Sequence, residues 1–235
     1  MQLERLLRSQ GFGSRPDCRA LIRSGKVAIE GSTCDDPFAE FEPEGLCFTV
    51  DGCDWVYRKS VYIALNKPSN FECSHRPIHY PSVYTLLPKA LVARGVQAVG
   101  RLDVDTTGLL LLSDDGQFIH TFTSPKKNIA KVYEVTTRHP VDQSQLQVLL
   151  SGVQLNDEPA PISARACELV SERCLLLTVT EGKYHLVKRM IAAAGNRVEQ
   201  LKRISIGGFE LPRHLALGEW IWLDSSDLNQ LAVKV

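Results

Sequence analysis

The residues of this chain best suited to catalysis are the carboxylates on either side of one run of leucines. Asp103 and Asp105 precede the leucines at 109–112, and Asp114 and Asp115 follow them. Closely spaced carboxylates can serve as general acid, general base or nucleophile, or can bind a hard cation. The segment therefore allows several chemistries, and the spacing of its residues has to separate them.

A calcium loop is one alternative. Residues 103, 105, 107, 108 and 114 match positions one, three, five, six and twelve of an EF-hand pattern. Position twelve, however, holds Asp114 where a bidentate glutamate is usual, and four leucines are too apolar for a solvated ligand loop. The flanking sequence also predicts no amphipathic helix of sufficient length. We therefore expect no metal site here.

A glycosidase-like pair, with one carboxylate as acid and the other as nucleophile, is a second alternative. In a strand, Asp103 and Asp105 would share one face and lie close together, so the local backbone rather than a sugar-sized cleft would set their separation. The third alternative is an Asp-rich turn without chemistry, which the glycine, threonine and aspartate content of residues 100–108 would explain. Composition alone leaves the turn and the active site both open.

The elements that must position these carboxylates are predicted from periodicity and turn residues. Strands are predicted at residues 61–65, 131–137 and 174–180, a turn at 66–70, and helices at 141–150 and 184–194, the last closed by Gly195 and Asn196. Mixed strands and helices without strict βαβ alternation predict an α+β domain with a mainly antiparallel sheet and flanking helices. The helix at 184–194 carries an apolar stripe with Lys188 at its edge.

Two short helices are predicted at the N-terminus. Leu3, Leu6 and Leu7 repeat at helical spacing, and the second helix has Ser14 as its N-cap, Asp17 as the acidic half of a capping box and Gly25 at its end. Arg15, Arg19 and Arg23 step by four residues along this second helix. Their guanidinium groups suit phosphate oxygens, although a solvated helix face would have the same spacing.

Composition limits the class of protein. The chain has 235 residues, 44% of them hydrophobic, which suffices for two modest domains, and its net charge of zero argues against indiscriminate binding of polyanions. The charge is nevertheless uneven, since basic residues prevail up to Lys26 and only acidic ones follow in residues 27–56. Short apolar runs predict no membrane span and a cytoplasmic protein, and seven scattered cysteines without a C-x-x-C pair predict reduced thiols.

The N-terminal pattern LERLLRSQGFGSRPDCRALIRSGKVAIEG resembles the S4 RNA-binding module over roughly the first 55 residues. The resemblance implies a small S4-like (αL) domain at residues 1–60, followed by a catalytic domain at residues 61–235. It departs from the usual pattern where Glu4 and Arg5 replace Asp and Lys. The RNA-binding residues that it implies are Arg5, Arg8, Ser14, Arg15, Arg19, Arg23 and Lys26.

The carboxylate segment GRLDVDTTGLLLLSDDG, at residues 100–116, closely resembles the signature of RsuA-type pseudouridine synthases, which modify ribosomal RNA in bacteria. Further pieces follow in the order of that family, namely NKPSN, KVYEV and EGKYHLVKRMIAAAGNRV. The resemblance implies that Asp103 is the catalytic carboxylate, that Tyr133 packs against the target base and that Lys188 pairs with Asp103. It also assigns substrate contacts to Arg101, Leu102 and Arg189.

The implied reaction breaks the C1′–N1 bond of uridine, turns the uracil and rejoins it through C5, so that no metal or other cofactor is required. A cation beside a buried aspartate favours its ionised form. If the pair were buried, Lys188→Met would cost about 3–5 kcal/mol. Further basic residues available for phosphate contacts are Arg197, Lys202, Arg203 and Arg213.

The implied partner is ribosomal RNA or an assembling ribosomal subunit, bound by a monomer. The Asp105-Thr106-Thr107 run and the PSVYTLLPK stretch are most similar to the branch that modifies small-subunit (16S) RNA. A large-subunit synthase and a non-catalytic assembly protein remain alternatives, and a hydrolase would instead release free uracil. Leu186 stands where relatives commonly have Gln, and Asn70 where Gly is usual, a position that Asn tolerates because it accepts the left-handed conformation.

Overall fold

The computed structural model describes residues 1–233. Contacts divide the chain into two compact units. The first unit consists of Met1–Val61 together with Leu87–Gln97, and the second of Tyr62–Leu86 together with the chain from Ala98 onward. Leu87–Gln97 thus belongs by its contacts to the first unit, although it follows the boundary proposed near residue 60.

The first unit packs helices on a small antiparallel sheet of order β2-β1-β3-β4. Its elements are α1 (Leu3–Ser9), α2 (Arg15–Arg23), β1 (Val27–Ile29), β2 (Ser32–Thr33), β3 (Cys47–Val50), β4 (Cys53–Val56) and α3 (Lys89–Ala93). Leu3, Leu6 and Leu7 are fully buried, as their spacing predicts. The predicted capping box at Ser14 and Asp17 is confirmed.

One arginine ties the returning segment to the first unit. The Arg94 guanidinium donates to Gln10 Oε1 at 3.0 Å, to the Arg58 carbonyl at 3.0 Å and to the Lys59 carbonyl at 3.1 Å. Gly11 has φ +90°, and a Cβ there would lie 2.0 Å from the Ala90 carbonyl oxygen, so this close approach requires glycine. These long-range contacts explain why Leu87–Gln97 belongs to the first unit.

The second unit is built on a long sheet of order β13-β5-β7-β11-β8-β10-β9. Its strands are β5 (Tyr62–Lys67), β7 (Thr107–Ser113), β8 (Lys131–Thr137), β9 (Ala166–Ser171), β10 (Cys174–Val179), β11 (Val198–Ile206), β12 (Phe209–Glu210) and β13 (Trp220–Trp222), and β6 (Gln97–Ala98) spans the boundary between the units. Its helices are α4 (Gly116–Thr123), α5 (Gln143–Ser151), α6 (Leu186–Ala193) and α7 (Ser225–Ala232). Neighbouring strands pair antiparallel except β7 and β11, which confirms the predicted α+β class with a mainly antiparallel sheet.

The leucine run forms the centre of this sheet. β7 lies between β5 and β11, and the side chains at 109–112 are all fully buried. A strand with both faces covered has a continuous apolar run instead of an alternating one, which is why periodicity alone did not identify it as a strand. The run therefore anchors the aspartate-containing loop that precedes it.

Several element boundaries differ by one or two residues from the sequence prediction. The turn predicted at 66–70 begins later, because Asn66 and Lys67 continue β5 in pairing with β7. The helix predicted from Tyr184 begins at Leu186, because His185 adopts the left-handed conformation with φ +49°. The helix predicted from residue 141 begins after the N-cap Asp142. The strand at 131–137 is confirmed as β8.

The seven cysteines are free thiols. Burial raises the pKa of Cys18 and of Cys167 to about 11, so both thiols are protonated at neutral pH and unreactive. Within residues 1–233, no helix combines the length and the apolar character needed to cross a membrane.

Candidate active site

Asp103 lies in the loop directly before β7, with 25% of its side chain exposed. Its Oδ2 atom is 3.2 Å from Lys188 Nζ and its Oδ1 atom is 3.3 Å from Nε2 of His185. Both carboxylate oxygens therefore face a nitrogen from the start of α6. The arrangement leaves the carboxylate reachable from solvent while holding its orientation.

Lys188 is shared between two carboxylates. Its Nζ atom donates to Asp105 Oδ1 at 2.5 Å, closer than to Asp103. Burial acts to lower the pKa of Lys188, but the hydrogen bond to Asp105 and the charge of Asp103 together hold that pKa above its ordinary value. Burial likewise acts to raise the pKa of Asp105, and Lys188 holds it below its ordinary value. The cation therefore keeps its charge throughout the neutral range.

This pair is not buried in the way that the 3–5 kcal/mol expectation for Lys188→Met assumed. The side chains of Lys188 and Asp103 are 24% and 25% exposed, and that of Asp105 is 69% exposed. Solvent screens charges at such a site, and exposed ion pairs contribute at most about 1 kcal/mol. The contribution of Lys188 to stability is correspondingly small.

A buried lysine holds the loop from inside the unit. Lys67, at the end of β5, is 0% exposed and donates to the carbonyls of Asp103, Val104 and Thr106 at 3.1, 3.1 and 2.9 Å, and to that of Pro68 at 3.0 Å. Burial lowers the pKa of Lys67. A loop whose carbonyls converge on one ammonium group has little freedom to move, and this fixes the backbone that carries Asp103.

Asn70 adds a second tie to the same loop. It has φ +62°, the left-handed conformation that its residue type predicts, and its N–H donates to the Val104 carbonyl at 2.8 Å. The replacement of glycine by Asn70 is therefore accommodated. Leu186 is 5% exposed and belongs to the core that packs α6 on the sheet, so the residue that replaces a glutamine serves packing.

Tyr133 lies half-buried on β8, in contact with Arg203, one of the basic residues expected to be available for phosphate contacts. Arg203 is only 3% exposed, and its Nε donates to the Leu109 carbonyl at 2.8 Å. Its Nη1 lies 3.4 Å from the Tyr133 hydroxyl. A phosphate-contacting role for Arg203 is therefore wrong, because the guanidinium is enclosed between strands, where it sets the position of the tyrosine.

The strands approach closely at this point. Gly108 has φ +98°, and a Cβ there would lie 2.3 Å from the Arg203 carbonyl oxygen, so the parallel pairing of β7 with β11 requires glycine. Across β11, Arg203 faces Tyr133 in the register with β8. Lys131 lies two residues before Tyr133, and burial, with the charge of Arg203, lowers its pKa to about 8. Of these two basic residues, Arg203 is the one whose side chain contacts the tyrosine.

The remaining predicted contacts of this unit differ in accessibility. Arg101 is exposed, whereas Leu102 is 7% exposed and part of the core. Arg189 forms an ion pair with Asp157 and donates to the Tyr184 carbonyl at 3.1 Å. Of these three, Arg101 alone presents an exposed side chain to a ligand in this conformation.

In the first unit, most of the predicted RNA-binding residues are exposed. These are Arg5, Arg8, Ser14, Arg15, Arg23 and Lys26. Arg19 differs, because it forms an ion pair with the buried Glu4 and stacks 5.2 Å from the centre of the Phe38 ring. Lys26 is 2.9 Å from Asp51, both half-exposed, and the Ser14 hydroxyl is engaged with Asp17.

Across residues 1–233, the structure brings together no group of three or more His, Cys, Asp and Glu side chains that could hold a metal ion. Asp103 and Asp105 converge on Lys188 instead, and an ammonium group at this point excludes a cation from the same oxygens. The calcium-loop alternative therefore has no geometric support.

A family described as RNA pseudouridylate synthase matches residues 61–193, more than half of the chain. The chain belongs to the RNA pseudouridylate synthase family. The synthase is thus an enzyme that isomerises uridine in RNA. The matched residues contain Asp103, Tyr133 and Lys188, and they end before Arg203.

Relatives extend the similarity over nearly all of the synthase. It is 35% identical over 235 residues to the Uncharacterized RNA pseudouridine synthase YtzG of Bacillus subtilis (strain 168), covering 98% of each chain. It is 34% identical over 229 residues to the Ribosomal small subunit pseudouridine synthase A of Pasteurella multocida (strain Pm70), covering 97% of this chain and 98% of the relative. A solved structure titled "Crystal structure of pseudouridylate synthase" superimposes with a TM-score of 0.70 at 33% identity, over 98% of this chain and 99% of that one.

His185 and Lys67 are site residues that the sequence analysis did not single out. Both lie inside quoted motifs, Lys67 in NKPSN and His185 in EGKYHLVKRM, so a signal was available. Their roles depend on where the side chains end, and the motif letters do not contain that information. In the synthase they contact the backbone and the carboxylate of the same residue, Asp103.

Proposed function

We propose that this synthase converts a uridine of small-subunit ribosomal RNA to pseudouridine, with Asp103 as the catalytic carboxylate. The observation that carries the assignment is the carboxylate of Asp103, which is part-exposed, faced on both oxygens by Lys188 and His185, and fixed through its backbone by Lys67. A group that must reach a ribose needs this combination of access and fixed orientation.

The proposed roles follow the atoms of the reaction. When the C1′–N1 bond breaks, positive charge develops on the ribose and negative charge on the uracil, and Asp103 supplies a negative oxygen at the sugar, as nucleophile or base. After the uracil has turned, C1′ bonds to C5, the C5 proton leaves and N1 gains a proton. One proton is lost at C5 and one is gained at N1, and every other atom stays in the product, so the isomerisation needs no oxidant, reductant or group donor.

Lys188 and Tyr133 support those steps. Lys188 places a positive charge 3.2 Å from Oδ2 of Asp103, where it attracts the carboxylate and helps to orient it. Tyr133 offers an aromatic face to the flipped uracil and a hydroxyl for the C5 proton, while the contact with Arg203 sets the position of that hydroxyl.

RNA binding is assigned to both units. The first unit provides cations for RNA phosphates through four exposed arginines, Arg5, Arg8, Arg15 and Arg23. Arg19 is not among them, because its side chain forms an ion pair with Glu4. In the second, Arg101 lies two residues before Asp103 and is exposed. Flipping a base costs a few kcal/mol, which these contacts must offset.

The choice of small-subunit RNA rests on the relatives. The Pasteurella multocida protein carries that substrate in its name, and it matches this chain over 97% of its length. We further propose that the enzyme acts as a monomer in the cytoplasm, on ribosomal RNA or on an assembling subunit.

The test is tritium release from small-subunit ribosomal RNA labelled at uridine C5, comparing wild type with Asp103→Asn. Free uracil is assayed in parallel, and Asp35→Asn, an exposed aspartate of the first unit, serves as a matched control. Release that Asp103→Asn abolishes and Asp35→Asn preserves, without free uracil, establishes the assignment.

Other outcomes separate the alternatives. Tritium release only from large-subunit RNA would show that the substrate is large-subunit RNA. Free uracil as product would indicate a hydrolase. No release from either RNA, naked or in assembling subunits, would leave a non-catalytic RNA-binding protein.

A further inference from the structure

Tyr184 is an exposed aromatic residue next to the catalytic carboxylate. The residue is 76% exposed, and its ring stacks on that of His185 with 3.7 Å between centroids and an interplanar angle of 21°. His185 in turn lies 3.3 Å from Asp103. Single exposed apolar residues are common on proteins. Tyr184 differs because it contacts His185, whose ring in turn contacts Asp103.

The backbone around this ring is held in place. His185 adopts a left-handed conformation, which is unfavourable for a residue with a side chain and persists where the surroundings enforce it. Arg189 donates to the Tyr184 carbonyl at 3.1 Å. On the other side, Lys183 is ion-paired with Glu158 at 2.7 Å and Glu181 at 2.8 Å. The exposed ring is therefore presented by a fixed turn.

We infer that Tyr184, backed by His185, is a stacking platform for the RNA base adjacent to the target uridine. This inference rests on the proposed function. A flipped uridine leaves the stack, so its neighbour loses a stacking partner. The outer face of Tyr184 supplies a replacement surface, and stacking on an aromatic ring accepts any base because every base has a π-face.

The geometry separates the neighbouring base from the target base. The inner face of Tyr184 is already covered by His185 at 3.7 Å, so no uracil can lie between the two rings. The target ribose must reach Asp103, on the His185 side. A base on the outer face of Tyr184 is one ring further from Asp103, and it therefore belongs to the adjoining nucleotide.

The experiment uses the full-length enzyme and a small-subunit RNA fragment from which wild type releases tritium. Tyr184→Ala is expected to lower kcat/KM about tenfold, mainly through KM, whereas Tyr184→Phe stays within about twofold of wild type because it keeps the ring. Tyr80→Ala, another exposed tyrosine of the same unit, serves as the control. All variants are checked for unchanged thermal unfolding.

Abasic RNA identifies the base that stacks. We expect wild type and Tyr184→Ala to have the same kcat/KM when the nucleotide on one side of the target uridine is abasic, because the base that would stack on Tyr184 is then missing. A Tyr184→Ala enzyme equal to wild type, an equally impaired Tyr184→Phe enzyme, or a penalty that persists on both abasic RNAs would each overturn the platform. Absence of tritium release from wild type would instead overturn the proposed function, and the platform with it.

Discussion

Lys188 lies closer to Asp105 than to Asp103, at 2.5 Å compared with 3.2 Å. The ammonium group therefore does not serve the proposed catalytic carboxylate alone. Asp105 is exposed over 69% of its side chain, whereas Asp103 is sheltered by Lys188 and His185. The two aspartates of the motif consequently occupy different environments and should respond differently to substitution.

Asp105→Asn is expected to lower kcat for tritium release less than tenfold, because a screened, exposed charge contributes at most about 1 kcal/mol to its partner. Asp103→Asn should abolish release, because no other carboxylate is assigned to the ribose. Single-turnover rates at saturating enzyme measure both. An inactive Asp105→Asn enzyme beside an active Asp103→Asn enzyme would reverse the assignment of the two aspartates.

Lys188→Met should lower the free energy of unfolding by about 1 kcal/mol, because the pair is partly exposed. The pKa of Lys188 is raised and that of Asp105 is lowered in the folded protein. The difference from wild type should therefore be constant at neutral pH and shrink in acid, below the ordinary aspartate pKa of 3.8. It should also shrink in alkali, above the ordinary lysine pKa of 10.5. Denaturant unfolding across pH measures this, and a loss of 3–5 kcal/mol would contradict it.

Lys67→Met should lower both stability and activity. The substitution leaves the inward-facing carbonyls of the Asp103 loop without a hydrogen-bond donor. Each buried carbonyl left unsatisfied lowers the free energy of unfolding by about 1–3 kcal/mol. A displaced catalytic group can lower the rate about 100-fold. Lys126→Met, at an exposed lysine, is the matched control for unfolding and for tritium release. Wild-type activity in Lys67→Met would show that the loop keeps its position without the lysine.

Between neutral pH and pH 10.5, the two lysines should differ in how their contribution to stability depends on pH. Because burial lowers the pKa of Lys67, the unfolded chain binds that proton more tightly than the folded protein does. The stability advantage of wild type over Lys67→Met should therefore grow as pH rises from the folded pKa towards 10.5. The advantage over Lys188→Met stays constant in that range, and unfolding at pH 7 and at pH 9–10 compares the two.

Tyr133→Phe should slow tritium release about 100-fold while RNA affinity stays near that of wild type, because the aromatic face remains and the proton-accepting hydroxyl is lost. Arg203→Lys should impair the same step and also lower stability, since a lysine cannot reach both the Leu109 carbonyl and the tyrosine. Comparing kcat, RNA affinity and unfolding for the two variants separates chemistry from positioning. Wild-type kcat in Tyr133→Phe would remove the hydroxyl from the mechanism.

The arginines of α2 should fall into two classes. Arg15→Ala and Arg23→Ala are each expected to lower the salt dependence of RNA binding by about one unit of slope, without a change in stability. Arg19→Ala should instead lower the melting temperature, because it leaves the buried Glu4 unpaired, and this loss should fade as acid protonates Glu4. Equal salt slopes for wild type and Arg23→Ala would exclude that residue from the RNA contact.

Local patterns determined much of this structure. The capping box at Ser14, the leucine stripe of α1, the strand at 131–137 and the left-handed Asn70 all follow from interactions between residues close in the chain, and such interactions can be read directly. The family signature likewise singled out Asp103, because its letters are contiguous, and the catalytic role of that residue stays a prediction.

The contacts that shape the site were decided by the tertiary structure. Lys67 is 36 residues from Asp103, Lys188 is 83 residues from Asp105 and Arg203 is 94 residues from Leu109. These contacts depend on strand order and on the register of β7 against β5 and β11. The sequence around one residue does not show which distant strand will pack beside it. Lys67, which binds the Asp103 loop, and Arg203, which contacts Tyr133, therefore look in the sequence like any surface lysine or arginine.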